Sequence, residues 1–258
     1  MLRQASREGQ FVQASSDELV RAQKLFVNLA REGKSPALQA EAAALALEIL
    51  PAEAPNSWVV RETSEAKRGR GLFAFRAGVG SDVLQVPHSF KDEMTREIGL
   101  ALFAEGRFAA AAWNTVPRTD ADMAHREATY FQSFTQAMAE VYPQGMVLQI
   151  HGFDQGKRKT QAAADVDLIL SAGHSAPPAS LRQKWRCLTQ AFPDQVALYP
   201  ETSRELGGTG NAQGGLLRSL GFNGFVHAEM SRPLRSLLRE DRATRAALLA
   251  CLQAKGGN

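Results

Sequence analysis

The chain has 258 residues, 44% of them hydrophobic, which suffices for one large domain or two small ones and excludes wholesale disorder. Lys and Arg number 30 against 27 Asp and Glu, a formal charge of +3, and no basic run is interleaved with aromatics, so nothing points to nucleic acid. No stretch approaches the roughly 18–20 apolar residues of a membrane span, and the N-terminus holds no apolar signal region, so a cytoplasmic location is the default expectation.

In chain order, Ser15-Ser16-Asp17 offers an N-cap for a first helix in which Leu19, Ala22, Phe26 and Leu29 recur at helical spacing. A second helix is expected from about Ser35 to Leu50, stopping at Pro51, with a connector to Ser57. Residues 1–56 thus read as a helical segment and 57–258 as an α/β domain. From Trp58 onward the pattern changes. Trp58 to Val60, Gly71 to Phe75, Asp82 to Val86, Phe108 to Trp113, Met146 to Ile150, Val166 to Leu170, Gln195 to Tyr199 and Gly224 to Ala228 read as strands. Helices are expected near Asp92 to Ala104, His125 to Val141, Ala179 to Ala191 and Pro233 to Lys255, and the polar tract Asp154 to Ala164 reads as a loop. Strands alternating with helices predict an α/β fold with a mixed, largely parallel central sheet flanked by helices. Cys187 and Cys251 stand far apart without zinc-finger spacing; one bridge is open to them, but two buried thiols is the ordinary expectation.

Ligands of open α/β sheets sit beyond the carboxyl ends of strands. Three such ends carry chemistry: Pro87-His88-Ser89-Phe90-Lys91-Asp92-Glu93, His151-Gly152-Phe153-Asp154, and His227-Ala228-Glu229. A catalytic zinc takes three nitrogen or carboxylate ligands from the protein and leaves one position open. His88, Glu93 and His151, each at a strand end, make such a set for one Zn2+ per chain. Asp92 adjoins Glu93 and competes for the carboxylate role; Glu93 is preferred, with Asp92 as an alternative helix cap.

Val86-Pro87-His88-Ser89, with Asp92-Glu93 and Thr95 behind it, a His-Gly after a strand, and His227-x-Glu229 near the C-terminus resemble the zinc carboxypeptidase-like superfamily. The nearest likeness is to the phage poly-γ-glutamate hydrolase branch, with N-formylglutamate amidohydrolases as looser relatives. The resemblance spans roughly residues 58 to 235. It departs from the family's His-x-x-Glu spacing, since Lys91 stands where that glutamate would be. It implies a compact α/β domain, one zinc, and hydrolysis of an amide next to a carboxylate, with Glu229 in the position of the general base. The substrate it implies is a small molecule or peptide-like chain carrying a carboxylate, such as a γ-glutamyl polymer, an N-acyl amino acid or a peptidoglycan fragment.

The competing reading of Glu229 is as the partner of Arg232 or Arg235 in a structural ion pair, with catalysis favoured, and His227 reads equally as its orienter or as a core histidine. Asn114 and Arg118 follow an apolar run and are candidates for gripping a substrate carboxylate, because a guanidinium matches a carboxylate with two parallel hydrogen bonds. Asp122 and His125 either line the site or start the next helix, and His174 also ends an apolar run. The glycine-rich stretch Gly207 to Gly215 lacks the Gly-Lys-Ser/Thr of a phosphate loop and fits better as a loop bringing Asn211 or Gln213 to substrate. A serine hydrolase is disfavoured, since no Gly-x-Ser-x-Gly elbow is present. The competing reading is a non-catalytic binding module on the same fold, which the departure at Lys91 keeps open.

Overall fold

The computed structural model describes residues 10–65 and 67–254. Nine strands form one sheet: β1 (Leu47–Pro51), β2 (Ser57–Glu62), β3 (Leu72–Arg76), β4 (Asp82–Val86), β5 (Phe108–Trp113), β6 (Val147–Gly152), β7 (Leu168–Ser171), β8 (Val196–Leu198) and β9 (Phe225–Met230). Their order is β1-β2-β3-β5-β4-β6-β9-β7-β8. The central strands β5, β4, β6 and β9 run parallel. An antiparallel meander, β1 to β3, extends one edge. On the other edge β7 lies antiparallel to β9 and β8 parallel to β7. The architecture is therefore the mixed, helix-flanked α/β fold expected from the alternation of elements.

The helices are α1 (Ser16–Glu32), α2 (Pro36–Ala43), α3 (Thr95–Glu105), α4 (Tyr130–Val141), α5 (Gln161–Ala164), α6 (Ala179–Ala191), α7 (Ala212–Ser219), α8 (Arg232–Glu240) and α9 (Arg242–Leu252). A capping box starts α1: the Ser15 hydroxyl accepts from the Glu18 N–H while Glu18 accepts from the Ser15 N–H. Its apolar stripe, Leu25, Phe26 and Leu29, is buried with α2, α4 and α7 against one sheet face. There Phe26 and Phe73 lie 4.5 Å apart by ring centroid, and Phe73 and Phe134 5.2 Å. Helices α3, α6, α8 and α9 cover the opposite face over Leu84, Leu148, Val226 and their neighbours. No helix among the described residues is long and apolar enough to cross a membrane.

Several expectations require correction, among them a loop over Asp154 to Ala164, where α5 forms. The helix expected to reach Leu50 ends at Ala43; the chain turns through Ala46, at φ +55°, into β1. Strand wins there because Leu47 and Ile49 alternate inward and Ile49 pairs with Val60 on β2. The 56/57 boundary thus falls between two hydrogen-bonded strands. The last helix is two helices: the Asp241 carboxylate accepts from the N–H groups of Ala243 and Thr244, capping α9 anew. Finally, Cys187 and Cys251 are bonded as a disulfide, Cα–Cα 5.4 Å, tying α6 to α9.

The topology decides where a site can lie. From β4 the chain passes through α3 to β5 on one side, then through α4 back across β4 to β6 on the other. These two helices cover opposite faces, so a crevice opens between the carboxyl ends of β4 and β6, the usual place for ligands in such sheets. His88 lies two residues beyond β4, and His151 is the penultimate residue of β6.

Candidate metal centre

Side chains alternate across a strand, so Gln149 and His151 on β6 share a face, as do His227 and Glu229 on β9. The parallel register sets Gln149 beside His227 and His151 beside Glu229. This is the face under α4 and α7. His88 enters the same space from the turn after β4, 3% exposed. That turn is helix-like: the Asp92 N–H donates to the His88 carbonyl at 3.1 Å. Four residues on therefore returns to the same side, and Asp92 faces His88. Glu93, one residue further, is rotated away. Its side chain is 63% exposed and pairs with Arg232 at 3.5 Å. The pitch of the turn therefore brings Asp92, and not the expected Glu93, to His88 and His151. Asp92 does not cap a helix either, since α3 begins only at Thr95.

Three atoms converge. His88 Nδ1 lies 3.2 Å from His151 Nδ1 and 3.2 Å from Asp92 Oδ2, and His151 Nδ1 lies 3.6 Å from the same oxygen. A tetrahedral ion bonded at about 2.0–2.1 Å spaces its ligands by about 3.4 Å. The opposite ring nitrogens are both held: His88 Nε2 lies 2.8 Å from Asp122 Oδ1, and His151 Nε2 lies 2.8 Å from Gln149 Oε1. Each acceptor draws the ring proton to Nε2 and leaves the Nδ1 lone pair free, the arrangement of metal-ligating histidines. The donor set of His88, Asp92 and His151 fits a divalent metal.

Asp122, read from sequence only as a neighbour of the site, is a hub: it also receives Arg118 Nε at 2.8 Å and lies 3.1 Å from His125 Nδ1. Burial opposes charge on Asp122, but these partners hold its carboxyl well below the usual range. The same balance holds Asp92 low: burial opposes its charge, while the His151 and His88 rings beside it and the Gly152 N–H, donating at 3.0 Å, favour it. Burial also disfavours charging His88, yet Asp92 and Asp122 raise its pKa. In His151 burial prevails and the pKa falls; in His227 it falls further, through burial and the neighbouring histidines.

Glu229 is pushed up to about 8 by burial, reinforced by the negative Asp92. The alternative of a structural ion pair fails: Arg232 is spent on Glu93, and Arg235 Nη1 donates to the Met230 carbonyl. His227 Nε2 lies 3.8 Å from the Glu229 carboxylate.

His88, Asp92, His151, His227 and Glu229 line a cavity of about 280 Å³ with Arg118 and His125 at its rim. An adjoining hollow of about 780 Å³ shares His125, Gly210 and Asn211 with it. A cavity of about 550 Å³ opens at the other end of the sheet, beside Asp82 and Gly145, but holds none of the clusters of metal-ligating side chains among the described residues. The glycine-rich loop does approach the site. Gly208, at φ +58°, passes so close to the His227 ring that a Cβ would lie 2.9 Å from it.

Two expected substrate residues are otherwise engaged. The Asn114 amide closes on its own chain, donating to the Val116 carbonyl and accepting from the Val116 N–H. Asn211 caps α7 by accepting from the Gly214 N–H and donates to Gln149. His174 accepts from the Ala176 N–H and lies outside the cavity lining. Sequence reasoning passed over Gln85 and Gln149, although a signal existed: a glutamine within an otherwise apolar buried strand requires partners.

No family model matches the chain, and no curated protein matches it. Among solved structures, N-formylglutamate amidohydrolase from Ralstonia eutropha JMP134 is similar over 72% of this chain and 97% of its own, at 13% identity and a TM-score of 0.50. A metallo-carboxypeptidase from Burkholderia cenocepacia aligns over 78% of this chain and 66% of its own, at 11% identity and a TM-score of 0.42. The first likeness establishes a shared α/β fold.

Proposed function

We propose that this protein is a zinc-dependent hydrolase that cleaves an amide bond next to a carboxylate. The observation that carries the reading is the convergence of His88 Nδ1, His151 Nδ1 and Asp92 Oδ2, with both distal ring nitrogens already held by acceptors. Two imidazoles and one carboxylate suit zinc and leave a coordination position free. Zinc held there supplies a Lewis acid that polarises the scissile carbonyl and acidifies water.

The remaining work belongs to the chain's own groups. A buried carboxyl pushed up to about 8 exchanges its proton near neutrality, so Glu229 is suited to take a proton from water and hand it to the leaving amine. Neutral His227, stacked on His151 at 4.5 Å by ring centroid, borders that path. Arg118 at the rim offers positive charge to a substrate carboxylate while anchored through its Nε to Asp122, and the His125 ring beside it offers a hydrogen-bonding nitrogen. The hollow next to the site gives room for a substrate longer than one amino acid. A γ-glutamyl chain or an N-acyl amino acid meets these requirements, and the fold shared with an N-formylglutamate amidohydrolase favours that class.

The test is metal content by elemental mass spectrometry after zinc add-back, in wild type and in the His88→Ala, His151→Ala double variant, followed by amine release from N-acyl and γ-glutamyl amino acids. The expected result is about one zinc per chain in wild type, none in the variant, and turnover that a chelator abolishes. Glu229→Gln should keep zinc and lose turnover by about 10²–10⁴-fold. A wild type that takes up no zinc refutes the proposal; zinc without turnover on any such substrate favours a binding module instead.

A further inference from the structure

Beneath the cluster runs a chain of amides with no exposure. Gln85, Gln149, Gln213 and Thr135 are each 0% exposed, and Asn211 4%. Gln85 and Gln149 face each other in register on β4 and β6, while α4 and α7 supply the others from above. Their hydrogen bonds can be followed from groups whose direction chemistry fixes. The Phe131 carbonyl can only accept, so the Thr135 hydroxyl donates to it, at 2.8 Å. Having spent its proton, that hydroxyl accepts from Gln85 Nε2 at 2.8 Å. Gln85 must then turn its carbonyl to Gln149, which donates through Nε2 at 2.9 Å. This leaves Gln149 Oε1 facing His151 Nε2.

Two further anchors give the same answer. Gln213 Nε2 donates to the Met123 carbonyl at 2.9 Å, so its Oε1 accepts from Gln149 Nε2 at 3.1 Å. The Gly214 N–H can only donate, and it does so to Asn211 Oδ1 at 2.8 Å, so Asn211 Nδ2 must face Gln149 Oε1. Three fixed backbone groups, on different segments, orient one side-chain amide.

We propose that Thr135, Gln85, Gln149, Gln213 and Asn211 form a tautomer lock, which obliges His151 to carry its proton on Nε2 and to turn its Nδ1 lone pair toward the metal, given that His151 is a ligand. These are positioning residues acting through Gln149. A neutral imidazole otherwise distributes its proton between both nitrogens, and a ring with its proton on Nδ1 has no lone pair for the metal. The amides are costly to bury unless satisfied. On the Gln149 side, the other tautomer would leave a His151 Nε2 acceptor facing the Gln149 Oε1 acceptor, and Gln149 cannot turn over without setting its Oε1 against the Gln85 and Gln213 acceptors and its Nε2 against the Asn211 donor.

The test begins with metal-free wild type labelled with 15N-histidine, its His151 signals assigned by their loss in His151→Gln. Two-bond proton–nitrogen correlation at about pH 8, above the ordinary histidine range, reports which nitrogen is protonated. The expected result is His151 with its proton on Nε2. Zinc affinity is then measured by chelator competition in wild type and in Gln149→Met, which keeps the bulk and removes the acceptor. We expect binding to weaken by about 10–100-fold, the usual loss for an outer partner of a ligating histidine.

A proton on Nδ1 in the metal-free wild type overturns the lock, whatever the zinc affinity. So does a folded Gln149→Met protein that binds zinc as tightly as wild type. If Gln149→Met does not fold, the wild-type spectrum alone decides. A wild type that carries the proton on Nε2 but takes up no zinc refutes the metal reading while upholding the tautomer assignment.

Discussion

Replacing Glu229 with Gln should change how the metal-free protein responds to pH. The folded carboxyl is pushed up to about 8 from an ordinary 4.5 by burial and by Asp92. Each unit of difference corresponds to 1.36 kcal/mol, so the shift amounts to at most about 5 kcal/mol. A raised folded pKa means that the native state holds the proton more tightly than the unfolded chain. The contribution is complete below 4.5 and is lost as pH rises toward 8, where the native state must harbour a buried carboxylate. Wild type should lose stability across that window relative to Glu229→Gln, whose amide has the same shape and no charge to acquire. Urea denaturation of chelator-treated protein at several pH values between these limits measures the difference. Asp92→Asn in the wild-type background should narrow it, because the second cause of the shift is removed. Parallel pH dependence in wild type and Glu229→Gln would refute the reasoning, since it would mean that Glu229 reaches water freely.

Asp92→Asn should weaken zinc binding by more than about 100-fold, beyond the cost of losing an outer partner, whereas Glu93→Gln should leave it unchanged; chelator competition separates the two, and the reverse pattern would restore Glu93 as the ligand. Gly152→Ala places a methyl group on the Arg235 guanidinium; displacing it should cost about 1–3 kcal/mol in denaturant melts and weaken metal binding through the Gly152 N–H to Asp92 bond. Cys187→Ser with Cys251→Ser opens a loop of sequence separation 64, which by chain entropy should cost about 4 kcal/mol; an unchanged unfolding midpoint in non-reducing buffer would show that the bond contributes nothing.

Most of the sheet was legible because buried parallel strands are short apolar runs with sharp ends, and Phe108 to Trp113 or Met146 to Ile150 admit few other readings. The strand Leu47–Pro51 was not, because alanine-rich sequence just before it suits helix. What decides is the edge that β2 offers, a tertiary fact. The two histidines were legible as polar residues ending apolar runs. The choice between Asp92 and Glu93 was not, because adjacent carboxylates differ only in the direction that the turn after His88 gives them. The engagement of Asn114 and Asn211 was equally hidden: an amide after a strand reads alike whether it faces a substrate or closes on its own backbone.

The crevice between β4 and β6 has a consequence for how the molecule holds together. His88 and Asp92 come from the chain before the long crossover, and His151 from the chain after it, some 60 residues on. A cation gripped by all three would rivet the seam at which the sheet changes winding direction. Prising the two halves apart would then require surrendering the ion, so the free energy of binding becomes resistance to opening along that line. Hydrogen exchange at the β4–β6 backbone amides, with and without zinc, would report that coupling directly.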